Sequence, residues 1–229
     1  MQDNLRLPKF LSGLTPEESK LILQSAERRR LPANHVIVNG GSPATSLFQL
    51  TEGTAKVFRV TKSGDEVLLW WLSRGDIFGI GALLGGTVSY IGTAQTIDDC
   101  ELLVWSQERI RSLAASHELL AENALHIAMY YMAAFADRLV GLTTETAEQR
   151  LGRTLLQLGQ RTGHVQSTGV ELEITNEDLS GLADVSEFTA SRHLKKWERQ
   201  GLIKKSRGKI HIFSPESLLI EGFPYPETD

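Results

Sequence analysis

Residues 175–213 read TNEDLSGLADVSEFTASRHLKKWERQGLIKKSRGKIHIF, and this stretch decides the fold. Thr175, with Asp178 three residues on, makes a capping box, and Leu179 and Leu182 then fall on one face of a short helix that ends near Asp184. Ser186 caps a second helix, on which Ala190, Leu194 and Trp197 recur at spacings of four and three, the period of a buried face. The opposite face carries Arg192, Lys195, Lys196 and Arg199. Gly201 stands where a helix C-terminus needs positive φ, Leu202 and Ile203 start a strand, and SRGK at 206–209 makes a hairpin tip. Helix, tight turn, helix and basic β-ribbon outline a winged helix-turn-helix, so the expected partner is double-stranded DNA.

The charge distribution agrees. Between residues 186 and 212 eight cations stand against two carboxylates, a local charge of +6 in a chain whose formal total is −4. A basic patch gathered on one helix face and one hairpin suits phosphate binding, because each neutralised phosphate releases condensed counterions. Taken alone, such a charge run also fits a merely solvated helix face.

The remaining composition is that of an ordinary globular chain, with 229 residues, enough for two cores, and 41% apolar residues. No apolar run approaches the roughly eighteen residues of a membrane span, and the polar start MQDNLRLPKF lacks the blocks of a signal peptide, so a cytoplasmic setting without membrane contact is expected. The single cysteine, Cys100, excludes an internal disulfide and any cluster held by several thiolates of one chain.

Outward from the reader, Thr15, Pro16 and Glu18 predict a helix over about 16–29, ending in the basic run Arg28–Arg30. From 35 to 105 short runs (HVIVN, SLFQL, TAKVFRV, EVLLWWL, TAQTI, ELLVW) alternate with GGSP, TEG, KSGD, SRGD and LGGT, which describes a small β-sandwich or roll. Helix resumes near Ser106 and becomes one long helix from about 118 to 141. On it Ala121, Leu125, Ala128, Met132, Phe135, Leu139 and Leu142 recur in alternating steps of four and three, the seam of a two-stranded coiled coil, so a parallel homodimer is expected with Leu125, Ala128, Met132, Phe135 and Leu139 in its interface. The alternative is that this stripe packs onto its own roll. An interruption is expected from Gly141 to Thr146, as a hinge before AEQRLGRTLLQLGQ opens the DNA-binding domain.

In this order of elements the chain resembles the CRP/FNR superfamily of bacterial transcription regulators, over nearly its whole length. The resemblance is carried by LTEGTAKVFRVTKSGDEVLLWWLSRGDIFG, DCELLVW, AEQRLGRTLLQLG and ITNEDLSGLADVSEFTASRHLKKWERQGLI. It implies an α+β chain with an N-terminal β-roll of the double-stranded β-helix or jelly-roll kind, a long dimerisation helix and a C-terminal winged helix-turn-helix. The divisions fall at 1–116 for a cyclic nucleotide-binding-like sensor, 117–141 for the dimerisation helix and 142–229 for the DNA-binding domain. It also implies a homodimeric regulator on a pseudo-palindromic operator, a small-molecule effector, and RNA polymerase as a further partner.

The departures narrow the effector. Members that bind cyclic AMP hold the ribose with a glutamate after glycine and the cyclic phosphate with an arginine. Here FGIGALLGGTVSYIGTAQ puts Ala82 and Tyr90 at those places, and burying a phosphodiester without a fixed cation leaves its desolvation unmatched. Poor cyclic AMP affinity is therefore expected. Gly79, Gly81, Ala82, Leu83, Tyr90 and Ile91 are the candidate effector residues, with Trp70, Trp71, Phe78 and Leu84 beside them, and they suit either an apolar ligand or a filled core. Backbone amides at Gly79 and Gly81 suit an anion-friendly turn. Haem-binding relatives direct attention to His35, His117 and His126, but no spacing singles one out. No cofactor or metal is assigned.

In the reader, the family's base-contacting arginine, glutamate and later arginine correspond to Glu187, Phe188 and Arg192, so only Arg192 carries over. Arginine suits guanine O6 and N7, Glu187 cytosine N4 and Phe188 a thymine methyl. The alternative for Glu187 and Phe188 is a structural role, in local capping and core contact. Ser186, Thr189 and Ser191 are candidate polar contacts, and Lys195, Lys196, Arg207 and Lys209 candidate backbone contacts. A cupin-like metal enzyme is the rival class, and it fails for want of clustered histidines, since the roll offers only His35. No catalytic residues are assigned, and a ligand-independent regulator with a vestigial roll stays open beside an effector-gated one.

Overall fold

The computed structural model describes residues 9–84, 86–213 and 218. Most of MQDNLRLPKF, Gly85 of the LGGT turn and the C-terminal tail lie outside the described residues. The chain forms two compact units, Met1–Phe135 and Ala136–Asp229.

The first unit opens with α1 (Pro16–Gln24), closed at its start by the reciprocal Thr15–Glu18 box. The helix stops five residues short of its predicted end, and β1 (Glu27–Leu31) takes its place. At that end the Ile22 carbonyl accepts the Trp105 indole N–H at 3.0 Å as well as the Ser25 hydroxyl at 2.7 Å, and the chain beyond it pairs with β8. The arginine run thus lies on an edge strand rather than at a helix terminus, with Arg30 paired to Glu101, and its charge guards that edge.

The strands that follow are β2 (Val36–Val38), β3 (Ser46–Glu52), β4 (Ala55–Val60), β5 (Glu66–Leu72), β6 (Ile77–Phe78), β7 (Thr93–Thr96) and β8 (Cys100–Ser106). They build two antiparallel sheets ordered β1-β8-β3-β6 and β2-β7-β4-β5. Period-two alternation divides the core in two. Cys100, Leu102 and Val104 of β8 face inward with Phe48, Leu50, Val57, Leu72, Phe78 and Tyr90, while Leu103 and Trp105 face outward onto helices.

The outer layer consists of α1, α2 (Gln107–Ser116) and the first half of α3 (Glu118–Thr144). Leu120, Ala124 and Ile127 of α3 are buried, and Asn123 donates to the carbonyls of Phe10 and Ser12 at 2.9 and 2.8 Å. Trp70 of β5 meets Tyr131 and Phe135 with ring centroids at 5.0 and 4.2 Å. The helix runs through Gly141 and breaks only at Glu145 and Thr146, a narrower interruption than expected. Thr146 and Gln149 make a full capping box there and start α4 (Ala147–Thr162).

The second unit adds β9 (His164–Gln166), β10 (Gly169–Glu173), α5 (Asn176–Leu182), α6 (Glu187–Arg199), β11 (Ile203–Ser206) and β12 (Lys209–Ile212). The β9–β10 hairpin was not anticipated, and it completes a sheet ordered β11-β12-β10-β9. The backbone forces Gly169 there, since a Cβ would lie 2.0 Å from the Ile212 carbonyl oxygen at φ +140°. Leu151, Leu155, Leu172, Leu179, Leu194, Trp197, Ile203 and Ile210 are buried.

Candidate nucleic-acid interface

The reader helix follows from its sequence. The Ser186 hydroxyl accepts the Thr189 amide at 3.2 Å and donates to the Thr189 hydroxyl at 2.9 Å, so both residues serve the cap. Ala190, Leu194 and Trp197 are buried, and Gly201 closes the helix at φ +71°. The face turned away from that core carries Phe188, Arg192, Lys195 and Arg199, at successive steps of four, three and four. Phe188 is 78% exposed, which removes the core role left open for it. Glu187 is exposed beside it at the first helical position and Ser191 is half-buried.

Counter-charges separate the basic residues into two groups. Lys196 donates to both oxygens of Glu148 at 2.7 and 3.1 Å, and Lys209 bridges Glu173 at 2.7 Å and Glu171 at 2.9 Å. Hydrogen bonding to Glu173 and Glu171 raises the Lys209 pKa. A phosphate taken by either lysine must displace carboxylates. Among the described residues Arg192, Lys195, Arg199, Lys204 and Arg207 carry no such ion pair, and they lie on α6 and the β11–β12 hairpin whose tip is Arg207–Gly208.

Behind that exposed face, α4 anchors α6 through Glu148. Besides Lys196, its carboxylate accepts the Trp197 indole N–H at 3.1 Å and lies 3.5 Å from His193 Nδ1. Burial pushes the Glu148 pKa up, but Lys196, His193 and Trp197 outweigh it and hold it below the usual value. Burial lowers the His193 pKa, with Arg192 and Lys196 adding to the effect and Glu148 opposing it.

The turn between α5 and α6 is held by arginines from two other helices. Arg138, near the end of α3, pairs bidentately with Asp184 at 2.5 and 2.7 Å and donates to the Gly181 carbonyl at 3.0 Å. Arg150 of α4 donates to the carbonyls of Ala183, Asp184 and Glu145 at 3.1, 3.2 and 2.7 Å. Asp184 adopts φ +51°. Sequence reading missed Arg138, Glu148, Arg150 and Asp184, because only the assembled domain brings them together.

In the roll, Gly79 (φ +78°) opens a 3-10 turn at Ile80–Leu83. A Cβ on Gly79 would lie 2.5 Å from the Ser46 carbonyl oxygen and 3.2 Å from the Tyr90 ring. Tyr90 is buried against Phe48, its hydroxyl accepting from the Ser46 amide at 3.0 Å and donating to the Ser46 carbonyl at 3.2 Å. Gly79 and Tyr90 therefore come together, with Phe78 stacked on Phe48 at 4.8 Å between centroids. The other candidates do not join them: Ala82 is wholly buried in the outer core, Leu83 and Gly81 are half-buried, and Ile91 is 67% exposed. The residue directly after Gly79 is Ile80, so neither it nor Ala82 supplies a carboxylate. Of the histidines, His35 and His126 are exposed, and His117 Nδ1 lies 3.4 Å from Glu18. Burial, then Asp98, raises the Cys100 pKa to about 12, and its thiol donates to the Thr54 carbonyl, so it is a packed, unreactive group.

Along α3, the expected seam is exposed at Leu125, Met132, Leu139 and Leu142, half-buried at Ala128 and Phe135, and joined by exposed Met129 and Val140. The face that packs on the roll is the other one, Leu120, Ala124, Ile127 and Tyr131.

A β-roll, a long helix with an open apolar stripe and a winged helix-turn-helix define a DNA-binding regulator. Residues 28–117 match the cyclic nucleotide-binding domain model, and residues 149–219 match the Crp-like helix-turn-helix domain model. The cyclic AMP receptor protein of Thermus thermophilus is 29% identical over 214 residues, covering 93% of this chain and 95% of that protein. Among solved structures, FixK2 from Bradyrhizobium japonicum has a TM-score of 0.75 at 18% identity, covering 84% of this chain and 95% of the other. The c-di-GMP responsive regulator CLP of Xanthomonas campestris has a TM-score of 0.71 at 22% identity, covering 87% and 100%. The chain belongs to the CRP/FNR superfamily and is a CRP-like transcription regulator with a helix-turn-helix DNA-binding domain.

Proposed function

We propose that the protein is a cytoplasmic homodimer that places two copies of α6 in successive major grooves of a pseudo-palindromic operator, about 34 Å apart. The observation that carries this reading is the shared face of Phe188, Arg192, Lys195 and Arg199, exposed and without counter-charge among the described residues. Arg192 reads guanine, Phe188 packs on a thymine methyl and Glu187 accepts from cytosine. Lys195, Arg199, Lys204 and Arg207 hold phosphates, with Ser191 beside them. The α3 stripe is the dimer seam, since four large apolar side chains in water on one helix face await a second copy. Residues 1–116, 117–141 and 142–229 then act as sensor-like roll, dimer helix and reader, with RNA polymerase as the partner at a promoter.

The roll is not a cyclic AMP receptor in this reading. Tyr90 occupies the interior and satisfies its hydroxyl on Ser46, so a cyclic phosphate would find no cation there and would have to displace a packed ring. That observation favours a ligand-independent regulator over one gated by an apolar effector. Calorimetric titration with cyclic AMP, cyclic GMP and haem, run beside selection of binding sites from random duplexes, tests both halves. A palindromic selected site with no ligand heat is expected; tight cyclic AMP binding would overturn the pocket assignment, and the absence of any selected site would overturn the reader.

A further inference from the structure

The seven-residue helix α5 ends with its Leu179 and Ser180 carbonyls accepting the amides of Ala183 and Val185, and two arginines from other helices serve the carbonyls of Gly181 and of the turn that follows. Gly181, Ala183 and Asp184 carbonyls all accept from Arg138 or Arg150, while the Asp184 carboxylate takes the fork of Arg138. Asp184 itself stands at φ +51°, a conformation uncommon for a residue with a side chain and stable only where surroundings over-determine it. The Arg138 and Asp184 side chains are 17% and 24% exposed, so neither is free to serve as a phosphate contact. Arg150 extends the same set to the Glu145 carbonyl at the α3–α4 break, and Arg153 pairs with the Glu145 carboxylate at 2.9 Å.

We infer that Arg138 is a positioning residue for operator recognition: the Arg138–Asp184 fork ties the last turns of α3 to the turn that aims α6, so the base-reading side chains are in register only while that fork is closed. This rests on the reading of α6 as the DNA-recognition helix. A bidentate guanidinium–carboxylate pair fixes direction as well as distance, which a single lysine contact would not. A displacement of the α3 end would thereby reach the reader through covalent helix and one defined ion pair.

The test uses full-length protein and a duplex selected against the wild type. Arg138→Ala and Asp184→Asn should each lose about tenfold on the operator and less than about twofold on random duplex, with the salt slope unchanged. The double variant should lose no more than the worse single one, because both remove the same pair. Arg138→Lys keeps the charge but not the fork and should behave as Arg138→Ala, which also covers a failure of the alanine variant to fold. Hydrogen exchange should quicken at the amides of residues 181–187 and stay protected in α4. Unchanged operator affinity, equal losses on both duplexes with a shallower salt slope, wild-type behaviour of Arg138→Lys, or unaltered exchange at the turn would each overturn the assignment. A wild type that binds no duplex would sink the DNA reading instead, and the exchange arm would still judge the latch.

Discussion

Arg192, Lys195 and Lys196 lie within one turn and a half of α6, yet their surroundings give them different work. Arg192→Ala should cost about 1–3 kcal/mol on the selected operator and relax preference at one base position, read by anisotropy on a set of single-base variants. Lys195→Ala should weaken all duplexes evenly and reduce the salt slope by about one. Lys196→Ala should leave that slope nearly unchanged, because Glu148 already neutralises the ammonium. His193 gives a second test at this scale. Its folded pKa is depressed, so below about pH 6.5 the unfolded chain takes the proton first. Stability present above that pH is lost as pH falls through the folded value. Glu148, also depressed, adds a further loss at lower pH, below its unfolded value of about 4.3. Thermal midpoints of the reader measured across this range should show the histidine step, and His193→Gln should remove it while leaving the carboxylate step.

At the scale of elements, α3 is the telling case. Its two faces are equally apolar in sequence, and packing assigns Leu120, Ala124 and Ile127 to the roll and Leu125, Met132 and Leu139 to the open side. Leu125→Asp with Met132→Asp should weaken self-association by at least about a hundredfold, because unpaired carboxylates would have to leave water at the seam. Sedimentation velocity would register the change, and circular dichroism should show the helix retained. Elements with local punctuation are readable in the sequence: Thr15, Thr175 and Ser186 begin helices where their hydroxyls cap, and Gly201 ends one. Residues 27–31 are not, since ERRRL reads as a helix end until β8 offers an edge for it to pair with. The β9–β10 hairpin is illegible for a similar reason, because HVQ and GVELE are too short to show their alternation without β12 alongside.

For the whole molecule, the proposed twofold arrangement would make half-site spacing a measurable consequence. Inserting about five base pairs between the half-sites turns one of them to the opposite side of the duplex, and affinity should fall to nearly that for random DNA, while an insertion of about ten should recover part of it. What the amino-acid order determined by itself was whatever depends on near neighbours: helix caps, the periods of buried faces, glycine turns, the concentration of positive charge in the reader, and the family pattern these compose. Only tertiary structure decided which cations keep a free charge, that Tyr90 fills the roll by bonding Ser46 from 44 residues away, that Phe188 stands in water, and that Arg138 grips Asp184 from 46 residues away. The physical reason is range: capping and periodicity act within a turn or two of chain, whereas pairing and burial depend on groups the fold brings together from distant positions.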